Sequence, residues 1–266
     1  MISCDIKYTK AKWVLRTEVI MMIKAYAKTD KGKVRENNQD YYYISDSLDQ
    51  VKLYMLADGM GGYNGGDIAS KLAVETAKNY ILNNFKDTEK DKDSILQLIG
   101  SSMEYANMVV YEKSKETPEL QGMGTTLEIC LVYNSKAYIG HIGDSRIYRI
   151  RKQFIRKLTQ DHSYVQKLVK DGTITKEQAI NHPQKNMLMK ALGCNAFAEP
   201  DVMVKGFMKD DIYVICSDGL TNMVTQQTIF EIASQKDIEQ ATVDLVKLAN
   251  DNGGYDNITA ILIKNI

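Results

Sequence analysis

The sequence predicts an α+β fold in which antiparallel sheets carry pairs of helices on their outer faces. Strand-like runs occur in blocks along the 266 residues, and pairs of helical segments separate the blocks. This order differs from the strict alternation of strand and helix that marks a doubly wound parallel sheet. A hydrophobic fraction of 44% is that of an ordinary folded core.

The first half of the chain places two helices after a group of strands. Helical periodicity is clearest where Ala69, Ala73 and Ala77 repeat on one apolar face. A second apolar stripe predicts the next helix along the chain. The predicted elements of this half are a strand just after Met22, strands at about 41–46 and 51–57, and helices at about 67–84 and 93–115.

The second half returns to a two-residue period and then to helices. Residues 162–182 are polar and helical, with Thr175 and Gln178 in a capping box, and about 162–190 are interpreted as a flap beside the main body. Strands are predicted at 125–133, 136–142, 146–151, 154–158, 202–208 and 211–216, helices at about 226–235 and 237–250, and a closing strand from 258.

Residues 1–21 differ from the rest of the chain because they are mixed in character and precede a pair of methionines. We expect Met21 or Met22 to be the translation start, which makes 1–21 a loose N-terminal extension or a segment that the native protein lacks. Residues 22–266 show no repeat and no change of composition, and we expect them to form a single domain. The intact mass of the native protein tests this assignment.

Composition and charge argue against several classes of function. Lys plus Arg and Asp plus Glu both number 34, so bulk charge favours neither a nucleic-acid nor a membrane partner. The four cysteines form no CxxC pair, which disfavours zinc, and free thiols fit a reducing compartment. The sequence has neither a membrane-length apolar stretch nor a signal peptide, so we expect a cytoplasmic protein.

Acidic motifs are the most informative feature of the chain. They are RENNQD at 35–40, DGMGG at 58–62, GDSR at 143–146, SDG at 217–219 and DN at 256–257. Most of them adjoin a strand-like apolar run, so their carboxylates are expected at strand ends. Mg²⁺ and Mn²⁺ prefer carboxylate, carbonyl and water oxygens. The pattern therefore predicts a cluster of hard metal ions and hydrolytic chemistry rather than a binding scaffold.

Asp58 has the local sequence of a bridging ligand. It follows an apolar strand and precedes glycines that allow close backbone approach, so it can bridge two ions while the Gly59 carbonyl adds an oxygen. Asp218 and Asp256 also lie beside apolar strands. Water between two divalent ions loses a proton at neutral pH, and the ions neutralise charge on a phosphoryl group. Arg35 can hold two phosphate oxygens through parallel hydrogen bonds.

Any one of these motifs is an ordinary turn sequence, and only the ordered set is specific. The order RxxNQD, DGMGG, GTT, GDSR, SDGL, DN resembles the metal-dependent protein serine/threonine phosphatases of type 2C in their bacterial form, over about residues 23–266. The resemblance implies an αββα sandwich of two antiparallel sheets flanked by helix pairs. It also implies two Mn²⁺ or Mg²⁺ ions in a channel at one edge of the sandwich.

The resemblance assigns a role to each motif, with the GTT turn at Thr125 and Thr126 as structural support. It implies that Asp58 bridges both ions, that the Gly59 carbonyl is a further ligand, and that Asp218 and Asp256 complete the first ion's coordination. It places Asp40 near the second ion, acting through water, and Asp144 with Asp218 at a third, weaker metal site. Arg35 is implied to bind the phosphate.

The chain departs from the family pattern in two places. Tyr63 stands where bacterial members have a histidine, so Tyr63 is an accessory candidate in the handling of protons. Met189 and Lys190 replace a threonine and an arginine in the flap region. The other accessory candidates are His162, which we interpret as a structural or flap histidine rather than a catalyst, and Asn257.

The resemblance implies a phosphatase that acts on phosphoserine and phosphothreonine by in-line attack of metal-bridged hydroxide, without a phosphoenzyme. None of the cysteines is followed six positions later by arginine, which argues against a cysteine phosphatase. The expected partners are phosphoproteins, namely the substrates of a serine/threonine kinase and the kinase itself, and the expected state is a monomer. Two alternatives stay open: a phosphatase of a phosphorylated anti-sigma antagonist, and a catalytically silent relative that binds phosphoproteins.

Overall fold

The computed structural model describes residues 22–46 and 51–266, and the predicted extension at 1–21 lies outside this part of the chain. The strands are β1 Ile23–Asp30, β2 Asp40–Ile44, β3 Lys52–Met60, β4 Gly124–Thr125, β5 Leu127–Tyr133, β6 Lys136–Ile142, β7 Arg146–Arg151, β8 Phe154–Lys157, β9 Asp201–Gly206, β10 Ile212–Cys216 and β11 Ile258–Asn265. The helices are α1 Gly62–Asn84, α2 Lys92–Lys113, α3 Tyr164–Lys170, α4 Lys176–Ile180, α5 Asp218–Thr221, α6 Gln226–Gln235 and α7 Ile238–Asp251.

These strands form two antiparallel sheets. The first has the order β1-β11-β10-β7-β8, and the second has the order β2-β3-β5-β6-β9 with the short β4 paired to β3. Strands that are distant in sequence therefore become neighbours, as in the pairing of β1 with β11. The predicted α+β class, with antiparallel sheets, is confirmed.

The core consists of three apolar layers. Alternate residues of each strand point to opposite faces of a sheet. In β3, Tyr54 and Leu56 pack between the two sheets, whereas Leu53 and Met55 pack under α1 and α2. The outer face of the other sheet packs against α6 and α7. Each fully buried Leu or Ile side chain contributes about 1.5–3 kcal/mol, so the sandwich fixes the strand ends firmly.

Several element boundaries differ from the predicted ones. β3 continues to Met60 instead of stopping at residue 57, because Gly59 and Met60 pair with β4, and Gly59 also donates to the Gln39 carbonyl at 3.1 Å. The helix predicted from residue 67 begins at Gly62. The segment 162–182 forms two short helices separated by Gly172, whose φ is +73°.

Two further features bear on the site. The capping box of Thr175 and Gln178 is present at the start of α4, as predicted. The strand predicted at 125–133 divides into β4 and β5 at Thr126. Within residues 22–46 and 51–266, no helix has the length and apolar character needed to cross a bilayer.

Candidate active site

The acidic motifs meet at one end of the two sheets. Asp40 begins β2 and pairs in register with Asp58 of β3. Asp218 lies two residues after the end of β10, at the start of α5, and Asp256 lies two residues before the start of β11, the antiparallel neighbour of β10. Asp144 lies in the turn between β6 and β7. Because neighbouring strands run in opposite directions, the end of one strand and the start of the next lie together, and carboxylates from both sheets converge.

Asp40 connects the two sheets. Its Oδ2 accepts hydrogen bonds from the hydroxyl of Ser217, at 2.8 Å, just after β10, and from that of Thr259, at 2.6 Å, in β11 of the other sheet. Burial raises the pKa of Asp40 to about 7, and the two hydroxyls partly oppose this shift. Its Oδ1 is buried without a hydrogen-bond partner among the described residues. A buried carboxylate oxygen in that state favours a positively charged or proton-donating ligand.

The backbone of Asp58 is held by the GTT turn. Its N–H donates to the Thr126 hydroxyl at 2.9 Å, and its carbonyl accepts from the Thr126 N–H and the Thr125 hydroxyl, each at 2.9 Å. The Thr126 hydroxyl also bonds that of Ser145, at 2.9 Å, in the turn that carries Asp144. Two of the acidic segments are thus tied together by neutral hydroxyls, so their carboxylate groups stay available to a ligand.

Burial and, after it, mutual repulsion set the electrostatics of the site. Burial raises the pKa of Asp58 well above its ordinary range, and the charges of Asp40, Asp218, Asp144 and Asp256 add to that effect. Burial likewise raises the pKa of Asp218, with Asp256 as the next cause, and Asp218 shares a side-chain hydrogen bond with Asp58. Burial and then Asp218 raise the pKa of Asp144 to about 7. A divalent cation would relieve this repulsion.

Arg35 and Asn257 organise the loop of residues 31–39. Arg35 donates from Nη2 to Asp256 Oδ2 at 2.8 Å, and its side chain is half exposed. Asn257 is buried, donates to the carbonyls of Lys31 and Asn37, and accepts from the Gln39 N–H at 2.8 Å. Asn257 therefore fixes the loop that carries the arginine.

His162 contacts the backbone of the turn before Asp144. Its Nδ1 accepts from the Gly143 N–H at 3.2 Å, and its backbone N–H donates to the Gly143 carbonyl at 2.7 Å. Gly143 has φ +114°, and a Cβ there would lie 2.4 Å from a Thr126 methyl carbon. His162 thus supports the turn through hydrogen bonds to its backbone.

A buried ion pair lies behind His162. Glu128 of β5 and His141 of β6 are fully buried, and His141 Nδ1 is 2.5 Å from Glu128 Oε1 while Nε2 is 2.8 Å from the Gln160 carbonyl. The His141 ring centroid lies 4.6 Å from that of His162. Burial raises the pKa of Glu128 to about 7. Burial opposes protonation of His141, but the Glu128 carboxylate outweighs it and raises the His141 pKa to about 9.

Close backbone packing explains two glycines of the motifs. A Cβ on Gly59 would lie 2.0 Å from the Gly66 carbonyl oxygen in α1. A Cβ on Gly219 would lie 2.0 Å from the Asn257 carbonyl oxygen. Neither backbone can yield without moving a strand end that carries an aspartate, so only glycine fits.

The residues present have the donor chemistry of a site for hard divalent ions. The donor set is carboxylates with adjacent backbone carbonyls, which suits Mn²⁺ and Mg²⁺. Among the described residues, no three His, Cys, Asp or Glu side chains surround one point closely enough to enclose an ion by themselves. The Asp256 carboxylate accepts a hydrogen bond from Arg35, and the Asp218 carboxylate accepts one from Asn222 at 3.1 Å. Both carboxylates are therefore engaged with side chains of the protein. Water and carbonyl oxygens would complete the coordination.

The predicted flap is joined to the site at its base. Ser163 pairs with Leu188, and the Met189 N–H donates to the His162 carbonyl at 2.8 Å. Further along, Thr125 pairs with Leu192 through two backbone bonds of 2.9 and 3.0 Å. Two isolated β-bridges thus join the flap segment to the body, and the second of them lies at the GTT turn.

Sequence reasoning missed three polar supports. Ser217 lies within the SDG motif region, yet its bond to Asp40 spans 177 positions. Thr259 lies near the start of a largely apolar strand, and its polar side chain within that run was the only signal of its role. Ser145 belongs to the GDSR motif, but the sequence did not predict that its hydroxyl bonds that of Thr126. The side chain of Tyr63 lies outside the part that the structure describes.

Comparison with known proteins settles the family. The sequence profile described as Protein phosphatase 2C matches residues 31–263. The chain belongs to the protein phosphatase 2C family. This phosphatase 2C chain is 37% identical over 241 residues to the serine/threonine phosphatase stp of Listeria monocytogenes, and the match covers 89% of this chain and 94% of that protein.

Solved structures show the same fold for this phosphatase 2C chain. Serine/threonine phosphatase Stp1 from Staphylococcus aureus matches with a TM-score of 0.85 and 33% identity over 92% of this chain and 96% of that one. The catalytic domain of the phosphatase PstP, in complex with two manganese ions, matches with a TM-score of 0.80 and 32% identity over 92% of this chain and 99% of that one. The expected αββα sandwich is therefore confirmed.

Proposed function

We propose that this protein is a metal-dependent serine/threonine protein phosphatase that hydrolyses phosphoserine and phosphothreonine in proteins. The observation that carries the proposal is the convergence of carboxylates from both sheets around Asp58, together with the unpartnered buried oxygen of Asp40. Relatives named serine/threonine phosphatase support the activity, and a neighbour with two manganese ions supports the metal.

The proposed ligands lie at the strand ends. Asp58, Asp218 and Asp256 would hold a first Mn²⁺ or Mg²⁺ ion, and Asp58, the Gly59 carbonyl and Asp40 would hold a second, Asp40 through water. Asp144 with Asp218 would form a third, weaker site. When bound, such ions supply an acidified water and neutralise charge on the phosphoryl oxygens.

The residues of the chain position the substrate and the ligands. Arg35 would bind two oxygens of the phosphoryl group, since its side chain is half exposed beside Asp256. Ser217 and Thr259 hold Asp40 Oδ2, which leaves Oδ1 for the second site. Thr126 keeps Asp58 in place through its backbone, so that the carboxylate needs no reorganisation.

We further propose that residues 22–266 are one catalytic domain with a flap, acting as a monomer in the cytoplasm. The substrates would be phosphoproteins made by a serine/threonine kinase, and the kinase itself. A balanced charge, 34 basic and 34 acidic residues, supports partners other than nucleic acid or membranes.

Hydrolysis of a phosphothreonine peptide with Mn²⁺, with Mg²⁺ and with EDTA tests the proposal. We expect turnover with a divalent ion, none with EDTA, and a loss of about 100-fold or more in Asp58→Asn and Asp218→Asn, because loss of a ligand exceeds the usual cost of losing an outer partner. The exposed Asp87→Asn is the matched control and should keep full activity.

Absence of turnover in the wild type with metal bound would overturn this proposal and favour the silent phosphoprotein-binding relative. In that case Tyr63→His is the informative variant. If Tyr63→His hydrolyses the peptide, the lack of activity in the wild type is due to the tyrosine at position 63. A panel of phosphoproteins separates a general phosphatase from one dedicated to an anti-sigma antagonist, which would act on a single member.

A further inference from the structure

A polar cleft of about 320 Å³ opens between the flap helices and the acidic turns. Asp144 and Asp218 line it, so the cleft is continuous with the site of the proposed reaction. Residues of α3, α4 and the loop after α4 supply the rest of its flap side. A peptide whose phosphorylated residue reaches the acidic site would therefore extend its neighbouring residues into this cleft.

Two lysines of the flap line the cleft and are available for a ligand. Lys176 begins α4 and Lys185 follows it, and both are exposed. Within residues 22–46 and 51–266, neither ammonium group is in an ion pair with a carboxylate. Because no carboxylate neutralises these two ammonium groups, both can attract an approaching anion.

The wall formed by β7 and β8 adds to the positive charge. Arg146 Nη2 and Lys157 Nζ bind opposite oxygens of Asp161 at 2.8 and 3.0 Å. Because two cations share a single carboxylate, this wall keeps a net positive charge. The carboxylates of Asp144 and Asp218 would be neutralised by the ions they bind, so the loaded cleft is basic.

Apolar side chains also line the cleft. Val165 and Val169 of α3 and Ala179 and Ile180 of α4 line the cleft, and Ile180 is 65% exposed. An exposed branched side chain on a cleft wall gains from contact with a ligand methylene chain. The lining thus suits an extended peptide whose anionic side chain has an apolar stem, such as glutamate.

We propose that this cleft is a substrate subsite that selects phosphopeptides with an anionic side chain, carboxylate or phosphate, near the phosphorylated residue, and that Lys176 and Lys185 bind that anion. This inference rests on the proposed phosphatase function and adds its substrate preference. Each exposed charge pair is a modest contribution, so the selection is a matter of several-fold rather than all or none.

The test compares kcat/KM for three phosphothreonine peptides of equal length with Mn²⁺. One has neutral flanks, one has glutamates in the flanks, and one carries a non-hydrolysable phosphonate analogue of phosphothreonine beside the target. The variants are Lys176→Gln/Lys185→Gln, Lys176→Glu/Lys185→Glu, and the matched control Lys86→Gln/Lys209→Gln, which removes two exposed lysines outside the cleft.

The wild type and the control should favour the anionic peptides over the neutral one by about 3–10-fold, the glutamine pair should lose that preference, and the glutamate pair should favour the neutral peptide. Comparison of kcat/KM for the glutamate-flanked peptide and the phosphonate-containing peptide shows which of the two anions is preferred. An unchanged ratio in the glutamine pair would overturn the proposal. Hydrolysis of p-nitrophenyl phosphate by the wild type separates failure of this subsite from failure of the phosphatase. Without turnover, the same ratios are read from peptide binding by fluorescence anisotropy.

Discussion

Glu128→Gln should remove a pH dependence of stability that the wild type shows between pH 7 and 9. In the wild type the buried Glu128 carboxylate raises the pKa of His141 to about 9, whereas an unfolded histidine loses its proton near 6.5. A raised pKa of this kind contributes stability that is fully present below 6.5 and is lost as the pH rises through about 9. Glutamine keeps an acceptor for His141 but carries no charge, so burial leaves the imidazole neutral across the same range.

The size of the effect is set by the displacement of the His141 pKa. One pKa unit corresponds to about 1.4 kcal/mol, so two units of pH between 7 and 9 should cost the wild type about 2–3 kcal/mol relative to the variant. His141 is fully buried, so solvent screens this difference little. For a domain of this size that loss corresponds to about 4–12 °C in Tm.

Thermal unfolding by circular dichroism at pH 7, 8 and 9 in EDTA measures the difference. The acidic cluster titrates in both proteins and cancels in the comparison, and Glu119→Gln, an exposed position, controls for loss of one negative charge. Tm values of wild type and Glu128→Gln that fall in parallel from pH 7 to 9 would refute the reasoning. Only three histidines are present, so NMR of the imidazole protons can follow the titration of His141 directly.

Three other substitutions test the site. Asp218→Asn should raise Tm in EDTA, because the substitution removes one charge from a cluster of mutually repelling carboxylates. The increase in Tm on addition of Mn²⁺ should be smaller in this variant than in the wild type. A lower Tm in EDTA would contradict this expectation. Gly59→Ala should cost about 1–3 kcal/mol or more in urea unfolding, because its Cβ would lie 2.0 Å from a carbonyl oxygen, whereas Gly100→Ala in α2 has room and should stabilise. Asn257→Ala should cost about 2–4 kcal/mol and raise KM, since it frees the loop of residues 31–39; unchanged values of both would argue against that role.

The local sequence predicted the elements that carry the acidic residues, because a buried strand followed by aspartate and glycine is a local pattern. Asp58 and Asp218 are of this kind, and the structure places both at one end of the sandwich. The boundary of β3 was harder to place, since Gly59 and Met60 extend the strand through pairing with β4, which is distant in sequence.

The supporting contacts could not be predicted, because each depends on strand register. Glu128 lies in an apolar run that gives no sign of a partner, and only the pairing of β5 with β6 sets it opposite His141. The same holds for Thr259, whose hydroxyl reaches Asp40 across 219 positions. The charge of a residue can be read from the sequence, but the residue that neutralises it depends on the fold.

The β-bridge between Ser163 and Leu188, at the base of the flap, bears on how this family can diversify. Because Ser163 and Leu188 lie side by side, the chain between them leaves and rejoins the body at nearly the same point. Insertions, deletions or wholesale replacement of that stretch cost little closure entropy and need not disturb Asp58 or its neighbours. The stretch between Ser163 and Leu188 can therefore be replaced as a unit while the acidic strand ends keep their arrangement.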